Sequence, residues 1–102
     1  MKLANWKKLS LVEQMANIGS EVYRTIKWRK HKDFAKKAFN RALELFYLTI
    51  EDKKNRKRLK EIIRARELFV DYIIGDNQYQ SSDEEWQKYF YSFNYAARIG
   101  KL

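Results

Sequence analysis

The chain has 102 residues, no cysteine, no proline, three glycines and a net charge of +9. That length suits one domain with a core that needs no staples, and the lack of cysteine excludes disulfides, thiolate zinc sites and cysteine nucleophiles. A chain with so few turn-forming residues is expected to be nearly all helix, and no apolar run approaches the ~20 residues of a membrane-spanning helix.

Residues 1–9 read as a short basic lead that carries Trp6. Ser10-Leu11-Val12-Glu13 has the form of a capping box, in which serine and glutamate satisfy each other's backbone N–H groups. The first helix is expected over about residues 10–30, with Leu11, Met15, Ile18, Val22 and Ile26 on one face. Gly19 interrupts it at ~1 kcal/mol against alanine, which marks a close helix crossing or simple tolerance. The helix should run out near Arg29-Lys30-His31, where cations suit the negative end of the helix dipole.

The second helix is expected over about 33–51. Ala35, Ala38, Phe39, Ala42, Leu43, Phe46, Thr49 and Ile50 form its inner face, and Asp33 is the expected N-cap. A charged corner at Glu51–Asn55 leads to a third helix, about 54–74, with a stripe of Leu59, Ile62, Ile63, Phe69, Val70, Ile73 and Ile74. Gly75 is placed to end it in a left-handed conformation. Arg66 lies inside that apolar arc, and a buried arginine needs a partner. At ~1.5 Å per residue, Glu21 of the first helix sits at the same height, so Glu21 and Arg66 are expected to pair. Asn17, Arg24 and Asp71 would lie near the rim of such a polar centre.

After the polar loop Asp76–Ser81, Ser82-Asp83-Glu84-Glu85 reads as a second capping box. The last helix, about 83–99, carries two apolar stripes. Trp86, Tyr89, Phe90, Phe93, Ala96 and Ala97 form one; Tyr91, Tyr95 and Ile99 form the other. The first should face the core, and the second is a candidate interface. The fold expected for residues 1–102 is therefore all-α, a single four-helix up-down-up-down bundle.

The charge is uneven. Residues 1–66 hold 19 Lys/Arg against 7 Asp/Glu, net +12, and residues 67–102 hold 3 against 6, net −3. In an up-down bundle one end would gather Lys2, Lys7, Lys8, Lys53, Lys54, Arg56, Lys57, Arg58, Lys60, Arg98 and Lys101. The other end has Lys27, Arg29, Lys30 and Lys32, offset by Asp76, Asp83, Glu84 and Glu85. Cations between Lys53 and Lys60 crowd a helix start, where the dipole is already positive. Such a run points either to an anion bound there or to a solvated face balanced by Glu51 and Asp52.

No Gly-rich phosphate loop, nucleophile elbow, His-rich metal cluster or Glu-x-x-His pair is present, so no cofactor or metal is expected. Two resemblances remain. Arg24-Thr-Ile-Lys-Trp-Arg-Lys-His31 is similar to the Arg-x4–6-His motif of HEPN ribonuclease bundles, although that family carries it late in the chain. The resemblance implies RNA cleavage by Arg24 and His31. The stretches Glu13–Val22, Gly75–Tyr79 and Trp86–Tyr91 resemble those of a group of short uncharacterised prokaryotic all-helical proteins, a resemblance that implies no activity.

The leading functional expectation is a non-catalytic module of the cytoplasm, which the absence of cysteine fits. It would bind RNA or a ribonucleoprotein through phosphates at Lys7, Lys8, Lys53, Lys54, Arg56, Lys57, Arg58 and Lys60, without sequence specificity. Tyr91 and Tyr95 would stack bases if exposed. The alternative is a homodimer or adaptor that buries the Tyr91/Tyr95/Ile99 stripe. The HEPN-like ribonuclease is the third. A membrane-surface role is not expected, since the cations share no helix with a strongly apolar face.

Overall fold

The computed structural model describes residues 3–100. Its elements are α1 (Leu3–Trp6), α2 (Leu11–Lys27), α3 (Lys32–Glu51), a 3₁₀ segment (Lys53–Arg58), α4 (Leu59–Ile74) and α5 (Asp83–Ile99), with no strand among the described residues. The all-helical expectation holds, with five α-helices rather than four. Lys2 and Lys101, counted above among the cations of one end, lie outside the described residues.

Helix starts follow from side-chain caps. Ser10 Oγ accepts from the Glu13 N–H at 3.2 Å, and Glu13 Oε1 accepts from the Ser10 N–H at 3.1 Å, the reciprocal box that the sequence predicts. At α5 only half of the box forms. Ser82 Oγ accepts from the Glu85 N–H at 3.2 Å, while the Glu85 carboxylate takes the Ser82 hydroxyl rather than its backbone N–H. Asp33 is not the cap of α3. His31 holds that position, without a side-chain bond, and Asp33 lies in the first turn near the positive dipole end. Ring packing sets this corner: Trp28 contacts His31 at 5.4 Å and Phe34 at 5.8 Å between centroids. The same corner ends α2 at Lys27, where the Trp28 N–H bonds the Arg24 carbonyl at 3.0 Å.

The expected third helix splits. Asp52 caps the 3₁₀ segment by accepting from the Lys54 N–H at 3.2 Å, and α-helix begins only at Leu59. Tighter winding turns Asn55 inward, where it is buried and bonded to Gln14 and to the Thr49 carbonyl. Gly75 is extended (φ −95°, ψ −162°), not left-handed. Its need for glycine is spatial, since a Cβ there would stand 2.9 Å from the Asp71 carbonyl oxygen. The left-handed residues of this loop are Asn77 (φ 52°) and Gln80 (φ 54°).

The core is built around Ile18, Phe46 and Phe69, with Phe39, Ile62, Trp86 and Phe90 around them. Phe69 contacts Phe39, Phe46 and Trp86 with ring centroids 5.4, 6.2 and 5.8 Å away, distances at which aromatic pairs attract beyond their burial. α2 packs against both α3 and α5, and α4 lies against α3. The α2–α5 crossing is close because Gly19 has no side chain: a Cβ there would lie 2.7 Å from Phe90 Cβ. The radius of gyration, 13.3 Å, is that of a compact chain of this size.

The largest departure is at the start. The basic lead contains a helical turn, and Trp6 is 1% exposed and part of the core. Its indole Nε1–H donates to Thr49 Oγ1 at 2.8 Å. In α4 the buried stripe is Ile62, Ala65 and Phe69, whereas Ile63 and Ile74, expected inside, are exposed. The small Ala65 thus faces inward between Ile62 and Phe69.

Candidate nucleic-acid interface

A buried polar node anchors the basic end. Gln14 Nε2 donates to the Trp6 carbonyl at 3.0 Å and to Asp52 Oδ2 at 2.8 Å, and its Oε1 accepts from Asn55 Nδ2 at 2.8 Å. The Asp52 carboxylate also takes the Lys54 ammonium. Burial alone would raise the Asp52 carboxyl, but the hydrogen bonds from Lys54 and Gln14 together hold it below its ordinary value. Asp52 is therefore a buried carboxylate with its acceptor sites filled, as an interior charge requires.

This node decides where the cations sit. Lys54 Nζ reaches past Asp52 to the Lys7 carbonyl at 3.1 Å. It thereby holds Lys7 and Lys8, which follow α1, beside the Lys53–Lys60 run. All eight of the sequence-predicted cations are exposed. Lys54 is committed to Asp52, and Arg58 pairs with Glu61 at 2.7 Å. Lys7, Lys8, Lys53, Arg56, Lys57 and Lys60 have no ion-pair partner among the described residues. Asp52 offsets Lys54 alone, so the balancing role expected of it does not extend to the rest of the run.

At the opposite end one of the four cations, Arg29, has an acidic partner among the described residues. Arg29 bonds Asp83 at 2.5 Å, and Tyr72 donates its hydroxyl to the same Oδ1. The Tyr72 bond, with help from Arg29, keeps the Asp83 carboxyl low, and the Asp83 bond raises the Arg29 guanidinium. Burial and Asp83 raise the Tyr72 phenol. These contacts tie the α2–α3 corner to α4 and α5.

The outer stripe of α5 is solvent-facing. Tyr91 and Tyr95 are 60% and 53% exposed, Ile99 is also exposed, and the two rings stack with centroids 6.3 Å apart. Tyr23 on α2 and Trp28 just after it, which the sequence reading left out of any site, are exposed and line one groove with Tyr91. The available signal was an aromatic at position 23 on the polar side of α2, one turn before Lys27.

Other candidates separate. Glu21 forms its ion pair with Arg24, one turn along its own helix, and not with Arg66. α2 faces α3 and α5 rather than α4, so equal height does not bring the two side chains together. Arg66 is half-buried on α4. No polar centre gathers around it: Asn17 bonds the Glu13 carbonyl of its own helix at 2.8 Å, and Asp71 caps the 75–79 loop through the Gln78 and Tyr79 N–H groups at 3.1 and 3.3 Å. His31 lines a cleft with Lys30 and Asp83 that does not include Arg24. Arg24 faces grooves beside Glu21 and Tyr23.

No group of three or more His, Asp or Glu able to hold a metal ion occurs among the described residues, and no helix there is long and apolar enough to cross a membrane. Compared with protein-family models, curated proteins and solved structures, the chain matches none.

Proposed function

We propose that the chain is a non-catalytic binding module of the cytoplasm. Its four longer helices alternate up-down-up-down, and its basic end contacts the phosphates of RNA or a ribonucleoprotein without sequence specificity. One observation carries this reading. The Lys54–Lys7 bond gathers two separate runs of cations on one surface and leaves Lys7, Lys8, Lys53, Arg56, Lys57 and Lys60 without acidic partners among the described residues. Concentrating like charge costs stability through self-repulsion, and a polyanion relieves that cost while its counterions are released. Resemblance to the short prokaryotic group adds no activity to this reading.

The test is binding of a labelled single-stranded RNA by fluorescence anisotropy over a salt series. Log K should fall linearly with log salt, by about 0.7 per phosphate contacted. The double variant Lys57→Glu/Lys60→Glu should flatten the slope by about 1.4 if each side chain meets one phosphate. Absence of binding at low salt would refute the proposal.

A second reading is favoured by the exposure of Tyr91, Tyr95 and Ile99: a homodimer or adaptor that covers this stripe. Sedimentation equilibrium decides it, with a dimer that Tyr91→Glu dissolves as the expected result. For the HEPN-like ribonuclease, the cleft of His31 without Arg24 offers no joint site; RNA cleavage abolished by His31→Ala would restore that reading.

A further inference from the structure

The groove between α2 and α5 has a composition that the basic end does not explain. Its volume is about 450 Å³, within the range of small-ligand sites. Val22, Trp86 and Phe90 line its base, and Tyr23, Trp28 and Tyr91 form its exposed aromatic walls. Two cations border it, Arg24, which is paired with Glu21, and Lys27, which has no ion-pair partner among the described residues, and no carboxylate lines it. Lys27 holds its ammonium 5.9 Å from the Tyr23 ring and 5.4 Å from the Trp28 ring. Gln87 and Asn94 add two side-chain amides with no hydrogen-bond partner among the described residues.

The groove between α4 and α5 makes an instructive contrast. It is apolar too, but Glu61 and Glu85 balance Arg64 and Lys88 around it, so it favours neither sign of ligand. The α2–α5 groove combines positive charge, open aromatic faces and unused amides. That set matches one chemistry: a flat heteroaromatic ring with hydrogen-bonding edges, attached to an anion. Aromatic faces stack on such a ring, amides meet its edge, and the cations meet the phosphate.

We infer that the α2–α5 groove receives an unpaired base of single-stranded RNA, stacked against Tyr23, Trp28 or Tyr91. The inference rests on the proposed RNA-binding function and extends it. The base replaces the Lys27 ammonium on an aromatic face, and Lys27 turns to the adjoining phosphate. Gln87 and Asn94 bond the base edge. A base paired in a duplex presents neither a free face nor that edge, so double-stranded RNA is excluded from the groove.

The test compares oligouridylate with inorganic polyphosphate of equal charge, which has phosphates and no bases. Binding of the full chain is followed by salt titration and tryptophan fluorescence. Trp28 is 39% exposed in the groove, while Trp6 and Trp86 are 1% and 6% exposed, so quenching by a stacked base reports on Trp28; Trp28→Phe should abolish it. Oligouridylate should bind roughly tenfold tighter than polyphosphate, the usual scale of one stacked base. Tyr23→Ala and Tyr91→Ala lie on the surface and should erase that margin without changing the salt slope. Equal affinity for both polymers, or tyrosine variants that change only self-association, would overturn the groove inference and leave the phosphate reading standing. Binding of neither polymer would refute both. Quenching that survives in Lys57→Glu/Lys60→Glu with an unchanged salt slope would keep the groove and remove the basic end as the phosphate site.

Discussion

Replacement of Trp6 tests the link between fold and basic surface. The side chain is almost fully buried, and its indole donates to Thr49 Oγ1 at 2.8 Å. Burial of a tryptophan removes roughly 150–250 Å² from water; at about 25 cal/mol per Å² that is about 4–6 kcal/mol. Truncation of large aromatics in cores costs about 3–5 kcal/mol in practice. The lost hydrogen bond adds about 1 kcal/mol. Thr49 still donates to the Leu45 carbonyl at 2.8 Å, so no buried donor is stranded. Trp6→Ala should therefore cost about 4–6 kcal/mol, a large share of a typical domain's stability. Trp6→Phe keeps most of the area and should cost about 1–2 kcal/mol. The assay is urea unfolding followed by circular dichroism, since fluorescence would lose a reporter. If the residues around Trp6 then detach, Lys7 and Lys8 leave the surface, and the RNA salt slope should fall by about 1.4. A Trp6→Ala protein within 1 kcal/mol of the parent would refute the reasoning, because it would mean that this residue is not part of the core.

Gly19→Ala should destabilise by up to about 2 kcal/mol in the same assay: overpacking against Phe90 costs about 1–3 kcal/mol, against a helix-propensity gain of ~1. Shortening Phe90 to leucine should not rescue it, since the nearest atom is the Phe90 Cβ at 2.7 Å from the added methyl. In acid, Asp52 and Asp83 both carry lowered values. Their contribution is present above the ordinary carboxylate value of 3.8 and is lost as pH falls through the lower folded values. Asp52→Asn should flatten that acid limb, and added salt should weaken only the exposed Asp83 part. In alkali the sign reverses. Tyr72 and Tyr89 are raised above 10, mainly by burial, so stability should fall as pH rises past 10. Tyr89, which donates to Glu61 at 3.2 Å, should dominate, and Tyr89→Phe should push the loss to higher pH.

Local rules read well from the sequence where one residue and its neighbours decide the outcome. The Ser10–Glu13 box depends on two side chains and two N–H groups a turn apart, and it forms as the spacing predicts. The inner faces of α2 and α3 follow from helical period alone, because burial of one stripe is the dominant gain for an amphipathic helix. The basic run Lys53–Lys60 was legible as a charged surface for the same reason, whereas the Tyr91/Tyr95 stripe read only as a second apolar face and a candidate interface. Gly19 was open to two readings, a close crossing or simple tolerance, and only the packing against Phe90 decides for the crossing.

What the chain's own order determined was helix content, the polarity of each face and the uneven charge, all properties of residues within a few turns of one another. Tertiary structure decided the rest, because those outcomes depend on pairs far apart in sequence. Trp6 becomes core only when Thr49 accepts from its indole N–H and Gln14 donates to its carbonyl. The 53–58 segment winds tightly because Asn55 must reach Gln14 and the Thr49 carbonyl. Glu21 takes Arg24 rather than Arg66 because α2 lies against α3 and α5, a neighbour relation that helix heights do not specify. The α2–α5 groove likewise exists only once Tyr23 and Tyr91, sixty-eight positions apart, face the same cleft.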